Sequence, residues 1–256
     1  MTEKPETKMA YHAWDPIVRL FHWTNVVCVL GLMAVGITIL NAKTLGVSTE
    51  GKILLKTVHV YIGYVFAVNL SIRLLWGFVG GKFARWRAIL PLGGRYIHAL
   101  GLFLKGAKAD HPPHFLGHNP IARLMVTLLF ILLSAQAVTG LVLAGTDLYY
   151  PPFGHQIATW VAQDPAQADQ LKPYDKTQVN ADNYKDMRDF RKPYINLHFW
   201  IFYTLLGAIF LHLMGVIYSE FKERCGLVSA MFTGEKYFAR KPVDLNTTVE
   251  GDEPNT

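Results

Sequence analysis

Four long runs of apolar residues alternate with polar segments along this chain of 256 residues. The runs lie at about residues 20–40, 57–79, 124–145 and 194–218, and the last contains no Asp, Glu, Lys or Arg. An α-helix needs about 20 apolar residues to cross a hydrocarbon core, and each run reaches that length. The pattern therefore predicts an all-α fold, an integral membrane four-helix bundle with its spans at these positions.

Composition supports a membrane protein over a large soluble domain. The chain is 51% hydrophobic and 17% charged, whereas a soluble domain has about 25% charged residues. The first run is full-length and follows a polar leader, so we expect an uncleaved anchor. Cys28 lies within a run and Cys225 follows the last one, which predicts no disulfide framework.

The net charge of +6 has its source mainly in loops. Basic residues accumulate between the second and third runs, as is typical of a cytoplasmic loop. This predicts both termini in the cytoplasm, with a cytoplasmic leader at 1–19, a four-span domain at 20–221 and a cytoplasmic tail at 222–256. No nucleic-acid-binding motif accompanies the charge, so nucleic acid is excluded as a partner.

Two segments outside the runs carry separate expectations. The tail is polar and acidic towards its end, and we expect it to be flexible beyond Lys241. The third loop, at 146–193, faces the outside in this topology and is rich in Asp and Pro. A loop of this length is usually functional or disordered.

Four histidines, His22, His59, His198 and His212, lie inside the runs, where ionisable residues are costly and indicate function. His198 and His212 are about 14 residues apart, which places them on one helical face about 21 Å apart along the axis. Because successive spans alternate in direction, His59 and His198 share the outer depth, and His22 and His212 share the inner depth. Facing helices of a bundle bring such side chains together.

Each pair suits the two axial positions of a haem iron. Zinc needs about four ligands, usually including Cys or a carboxylate, and each pair offers two. The sequence has no Cys-x-x-Cys-His motif, so the haem would be held non-covalently, as haem b. We therefore predict two haem b groups, the outer on His59 and His198 and the inner on His22 and His212. The alternative for any single histidine is a hydrogen-bonded residue buried between helices.

Two further residues share these faces. Gly36 lies about 14 residues after His22, and without a side chain it lets a flat ring approach the helix; ordinary close packing of helices is the alternative. Arg73 lies about 14 residues after His59, where a cation can pair with a haem propionate. The alternative for Arg73 is snorkelling to the cytoplasmic surface.

Three stretches carry a family resemblance: Arg19-Leu-Phe-His22-Trp23, Gly117-His118-Asn119-Pro120-Ile-Ala122, and the His198/His212 pair. They resemble the b-type cytochrome subunit of membrane-bound nickel–iron hydrogenases, within the wider group of bacterial di-haem cytochromes b. The resemblance extends over about residues 14–236, nearly the whole chain.

The resemblance implies a bacterial inner-membrane protein with four spans, two haems and a quinone site near the inner haem. It further implies that electrons arrive from an extracytoplasmic iron–sulfur subunit and reduce quinone. His118 and Asn119 are then candidates to hydrogen-bond a quinone carbonyl or to relay protons, although Asn119 before Pro120 is also a typical helix start. The third loop is longer and richer in Asp and Pro than expected for a hydrogenase subunit. A multihaem cytochrome c is therefore an alternative partner.

We interpret the chain as the electron-transfer, quinone-reactive subunit of an oxidoreductase complex, since it shows no catalytic nucleophile or acid–base dyad of its own. Two alternatives belong to other classes: a haem or metal transporter, and a proton-conducting anchor without a cofactor. Transporters usually show internal repeats and broken helices, and the sequence shows neither.

Overall fold

The computed structural model describes residues 8–108 and 113–245. The first part of the predicted leader and the end of the predicted tail, from residue 246 on, lie outside the described residues. Within these ranges the secondary structure is almost entirely helical, which confirms the predicted fold class. The elements in chain order are β1 (Met9–His12), α1 (Pro16–Leu40), α2 (Thr49–Val79), α3 (Trp86–Ile89), α4 (Gly94–Lys108), α5 (Pro120–Leu148), α6 (Gly154–Val161), a 3-10 helix (Pro165–Gln170), α7 (Ala181–Glu223), α8 (Leu227–Thr233) and β2 (Glu235–Phe238).

Four of these helices, α1, α2, α5 and α7, are long and apolar enough to cross a membrane. The four predicted spans are therefore confirmed as membrane-capable helices, and each lies inside a longer helix. Their large apolar side chains are mostly exposed, as in Leu30, Leu75 and Phe210. Lipid is as apolar as leucine, so such faces need no protein cover in a bilayer.

The third loop, predicted to be either functional or disordered, is largely helical. Residues 146–193 contain α6, the 3-10 helix and the first turns of α7, a helix of 43 residues that includes Pro193. Asn180 caps α7 by accepting hydrogen bonds from the backbone N–H groups of Asp182 (3.1 Å) and Asn183 (3.0 Å). A proline removes one backbone donor but does not by itself end a helix that is capped and packed.

A small apolar cluster explains why this polar segment folds. Ile157 and Val161 of α6 pack with Met187 of α7, and all three are buried. Asp and Pro content indicated a loop, but this cluster packs α6 against α7, and burial of apolar surface stabilises the folded segment.

The described chain divides into two compact units. Unit 1 comprises residues up to 22, 73–129 and from 208 onwards, and unit 2 comprises residues 23–72 and 130–207. In unit 1, β1 and β2 pair antiparallel with Met9 opposite Phe238. Around them Trp14, Leu116 and Phe238 form a buried apolar cluster.

The tail is attached to unit 1 well past the last long helix. The carboxylate of Asp244 accepts hydrogen bonds from the backbone N–H groups of Leu116 (2.7 Å) and Gly117 (2.8 Å). Lys82 Nζ donates to the carbonyl oxygens of Asp244 (2.9 Å) and Leu245 (3.1 Å). The expected flexibility beyond Lys241 is therefore wrong for residues 242–245, because a carboxylate that accepts two backbone hydrogen bonds anchors the chain.

Candidate haem-binding sites

His59 of α2 and His198 of α7 lie together within unit 2. Their ring centres are 6.4 Å apart and the ring planes meet at 71°. An imidazole nitrogen binds a metal ion at about 2 Å, which puts the ring centre about 3 Å from the metal. Two imidazoles on opposite sides of one iron therefore have ring centres about 6 Å apart. The observed separation fits one iron between the two rings.

Two glycines leave room beside these rings. A Cβ atom at Gly36 of α1 would lie 3.4 Å from His59 Cε1, and one at Gly140 of α5 would lie 3.3 Å from His198 Cε1. The distance at Gly140 is tight for two carbon atoms, and the one at Gly36 is at the edge of ordinary van der Waals contact. A side chain at either position would therefore lie directly against an imidazole. Gly36 thus lies beside His59. Gly140 was missed by the sequence reasoning because the third run carries no histidine.

The two imidazoles differ in their polar contacts. His198 Nδ1 lies 2.9 Å from Thr139 Oγ1, and His198 Nε2 lies 3.1 Å from Gln136 Nε2. His59 Nδ1 is buried and has no hydrogen-bond partner among the residues the structure describes. A buried polar atom without a hydrogen-bond partner costs folding free energy. A cofactor bound between the two histidines would give the His59 ring a partner. Both ring nitrogens of His198 thus have a polar contact, whereas Nδ1 of His59 has none among the described residues.

An ion cluster ties together the three helices that carry these side chains. Asp147 of α5 accepts from Lys56 Nζ of α2 at 2.5 Å and from Arg191 Nη2 of α7 at 2.9 Å. Lys56 precedes His59 by about one helical turn, and Arg191 precedes His198 by about two turns. The cluster fixes α2, α5 and α7 close to the point where they present their side chains to the site.

His22 and His212 lie in unit 1, together with Arg73, His118 and Asn119. His212 is close enough to His22 and to His118 for their charges to interact. The structure thus places the two predicted inner ligands in one unit, beside the residues of the predicted quinone site.

Arg73 is buried, with 3% of its surface exposed. Its Nη2 donates to the carbonyl oxygen of Ala84 at 3.1 Å, and its guanidinium lies 5.9 Å from the ring centres of both Phe21 and Trp86. The snorkelling alternative does not hold, because a snorkelling side chain keeps its charged end in water. The buried cation instead belongs to the interior of unit 1.

His118 lies against the ring of Trp14, with ring centres 4.8 Å apart. Its Nδ1 is shielded from solvent and has no hydrogen-bond partner within the described part of the chain. Burial, followed by the positive charges of Lys236, Arg73 and Arg123, lowers the pKa of His118 to about 3. The imidazole is therefore neutral at physiological pH in surroundings that favour an anionic or electron-rich ligand group.

Lys236 of β2 is a buried cation that the sequence reasoning missed. It is 2% exposed, donates to the carbonyl oxygens of Leu116 (2.8 Å) and Gly117 (3.0 Å), and lies 5.2 Å from the ring centre of Trp14. Burial lowers the pKa of Lys236. Nothing in a short polar strand near the end of the chain distinguishes this lysine from a solvated one. Its role is visible only in the folded structure.

Asn119 occupies the start of α5. Its Oδ1 accepts a hydrogen bond from the backbone N–H of Ala122 at 2.8 Å, and Pro120 is the first residue of the helix. This is the helix-start arrangement that the sequence offered as the alternative. The amide nitrogen of Asn119 is not engaged by that cap.

The donor sets favour a prosthetic group over a bare metal ion. Across residues 8–108 and 113–245, no three or more His, Cys, Asp or Glu side chains cluster in a way that could hold a metal. A porphyrin supplies four nitrogen donors to its iron and leaves two coordination positions for the protein. Each histidine pair offers two nitrogen donors. Cys28 and Cys225 are both free and buried.

Comparisons with known proteins agree with this chemistry. A sequence model of the family described as prokaryotic cytochrome b561 matches residues 13–234. The chain is similar to the probable Ni/Fe-hydrogenase 1 B-type cytochrome subunit of Escherichia coli (strain K12), with 31% identity over 166 residues that cover 60% of this chain and 68% of that protein. It is also similar to the probable Ni/Fe-hydrogenase B-type cytochrome subunit of Rhizobium leguminosarum bv. viciae, with 25% identity over 251 residues that cover 92% of each chain. No solved structure matches the chain.

Proposed function

Because the chain belongs to the prokaryotic cytochrome b561 family, and is thus a membrane b-type cytochrome of electron transfer, we propose that it links an extracytoplasmic redox partner to the quinone pool. Two haem b groups would serve this path, the outer held by His59 and His198 and the inner by His22 and His212. The observation that carries the proposal is the 6.4 Å separation of the His59 and His198 rings, which suits one iron between them.

The chain's residues have distinct tasks at the outer site. Bound haem supplies reversible one-electron exchange at its iron. His59 and His198 would hold the iron through their imidazole nitrogens, while Gly36 and Gly140 place no side chain against these rings. The ion cluster on Asp147 fixes the helices that carry the ligands. The surrounding apolar helices exclude water, and so the protein sets the local dielectric and with it the redox potential.

At the inner site, buried positive charge supports two further roles. Arg73 is suited to pair with a haem propionate, because its guanidinium is buried beside Phe21 and away from solvent. His118 is neutral and has a shielded Nδ1, so it can hydrogen-bond a quinone carbonyl. Asn119 would assist through its amide nitrogen, since its amide oxygen caps α5.

The partner is proposed from the relatives and from the folded segment at 146–193. The relatives are named as subunits of Ni/Fe-hydrogenases, so the iron–sulfur subunit of a nickel–iron hydrogenase is the first candidate. In the proposed topology the chain spans a bacterial inner membrane with both termini inside, and 146–193 faces the partner. A segment with its own apolar cluster is a defined surface for docking. Co-purification identifies the partner, and a multihaem cytochrome c is the alternative outcome.

The transporter alternative finds no support in α7. This helix runs without interruption from Ala181 to Glu223 and carries both His198 and His212. Transport sites near the middle of a membrane are usually built from broken helices. A continuous helix suits fixed ligands better than transient ones.

Spectroscopy of the purified protein tests the proposal. Reduced-minus-oxidised spectra should give about two haem b groups per chain, in line with two ligand pairs. His59→Ala and His212→Ala should each remove one haem, and a different one, whereas His155→Ala, at an exposed residue, should remove none. A protein that stays colourless when haem is supplied during expression would refute the proposed function.

A further inference from the structure

A continuous chain of hydrogen bonds passes through the imidazole of His198. Gln136 Nε2 lies 3.1 Å from His198 Nε2, and His198 Nδ1 lies 2.9 Å from Thr139 Oγ1. Thr139 Oγ1 in turn donates to the carbonyl oxygen of Ala135 at 2.8 Å. An amide nitrogen only donates and a carbonyl oxygen only accepts. The chain therefore has one consistent direction, with the proton of His198 on Nδ1 and the lone pair on Nε2.

We propose that Thr139 is a positioning residue that fixes this tautomer, and that Gln136 holds His198 Nε2 until a haem iron replaces it. This inference rests on the proposed outer haem site. It concerns two side chains from a span that carries no histidine.

Thr139 is suited to the task by its burial and by its second hydrogen bond. It is 3% exposed, and its hydroxyl proton points to the backbone carbonyl oxygens of Ala135 (2.8 Å) and Gln136 (3.1 Å). Its oxygen is therefore left to accept from His198 Nδ1. When a histidine binds a metal through one ring nitrogen, a hydrogen-bond acceptor at the other ring nitrogen fixes the orientation of the ring. It also makes the metal-binding nitrogen more basic. A more basic ligand stabilises the ferric state, so Thr139 should lower the midpoint potential of the outer haem.

Gln136 contacts the nitrogen that the tautomer leaves free for iron. Its Oε1 is buried and has no hydrogen-bond partner in the described ranges, so the hydrogen bond to His198 is the polar contact that holds this amide. A haem iron held at His198 Nε2 would take the place of this hydrogen bond, so binding would cost about one hydrogen bond. Gln136 is thus a placeholder for the cofactor in the haem-free protein.

The test for Thr139 uses the haem-loaded protein and three variants. Thr139→Val keeps the shape and removes the acceptor, Thr139→Ser keeps the acceptor, and Thr146→Val is the matched control. Thr146 is a buried threonine of the same helix whose hydroxyl donates to the carbonyl oxygen of Leu143 at 3.5 Å. The readouts are the midpoint potential of each haem and the rate of haem loss to a haem-scavenging protein. The haem absent from His59→Ala identifies the outer one.

Thr139→Val should release the outer haem about tenfold faster. Its potential should rise by about 59 mV for each tenfold loss of preference for the ferric state. Thr139→Ser should restore both values, and the inner haem should not change. Should Thr139→Val match Thr146→Val in both readouts, the assignment of Thr139 is overturned.

Gln136→Leu gives the opposite change. Removing the competing hydrogen bond should slow the loss of the outer haem by about threefold to tenfold, with little change in its potential. Faster loss of that haem would overturn the placeholder role.

His198→Ala distinguishes failure of this inference from failure of the proposed function. If His198→Ala removes one haem while Thr139→Val changes nothing, only this inference fails; if His198→Ala retains two haems, the proposed function fails as well.

Discussion

Neutralising Asp147 tests whether the ion cluster of unit 2 holds the outer site together. The Asp147→Asn substitution keeps the shape of the side chain and one acceptor oxygen but removes the negative charge. Lys56 and Arg191 would then face each other as two positive charges. Since these residues join α2, α5 and α7, the substitution should loosen the three helices that present His59, Thr139 and His198.

The size of the effect follows from burial. Removing one partner of a fully buried ion pair costs about 3 to 5 kcal/mol. The side chains of Asp147 and Arg191 are each 11% exposed and that of Lys56 is 21% exposed, so water relieves part of the cost and we expect about 3 kcal/mol. In a chain of this size each kcal/mol lowers the melting temperature by about 2 to 4 °C. The expected decrease is therefore roughly 6 to 12 °C.

The assay is thermal unfolding of the detergent-purified protein, followed by intrinsic fluorescence and by the haem absorbance. Asp169→Asn is the matched control, because Asp169 pairs with His155 at 3.4 Å while both side chains are largely exposed. An exposed ion pair contributes little to stability, so this control should have the same melting temperature as the wild type. In Asp147→Asn the outer haem should be lost at a lower temperature than the inner one.

Two results would refute the reasoning. If Asp147→Asn melts within about 1 °C of Asp169→Asn, the cluster contributes no more than a surface pair. If the protein is destabilised as expected but both haems are lost together, the cluster stabilises the fold without a particular role at the outer site.

Three further predictions concern Gly140, Lys236 and His118. Gly140→Leu should abolish the outer haem band, because its side chain would press on the imidazole 3.3 Å away, whereas Gly207→Leu, at a glycine with open space around it, should retain the band. Lys236→Met should lower the unfolding free energy by about 1 to 3 kcal/mol, since two carbonyl oxygens lose their buried donor; an unchanged denaturant midpoint would contradict this. In the haem-free protein the pKa of His118 is about 3 and lies below that of the unfolded chain, so protonation favours unfolding. Stability should fall by about 1.4 kcal/mol per pH unit as pH decreases from about 6.5 to about 3. His118→Gln should flatten this slope in denaturation measured across that range, and an identical slope would contradict the prediction.

The sequence by itself determined the membrane-capable helices and the residues to consider for cofactor binding. Run length is a local property, because about 20 apolar residues cross a bilayer whatever their neighbours are. The grouping of histidines by depth also needs only helical periodicity and alternating spans. The structure indeed places His59 and His198 together in one unit, and His22 and His212 together in the other. The sequence also offered the correct helix start at Asn119.

Only the tertiary structure decided which residues support those histidines. Thr139, Gln136 and Gly140 lie in a span without a histidine, and their approach to His198 depends on how α5 is rotated about its axis. That rotation is set by packing across the whole interface and leaves no mark in a local hydrophobic pattern. The same holds for Lys236, whose burial depends on the pairing of two strands from opposite ends of the chain. Segment 146–193 has the composition of a loop, and the contacts that order it join α6 to Met187 of α7, which is distant in sequence.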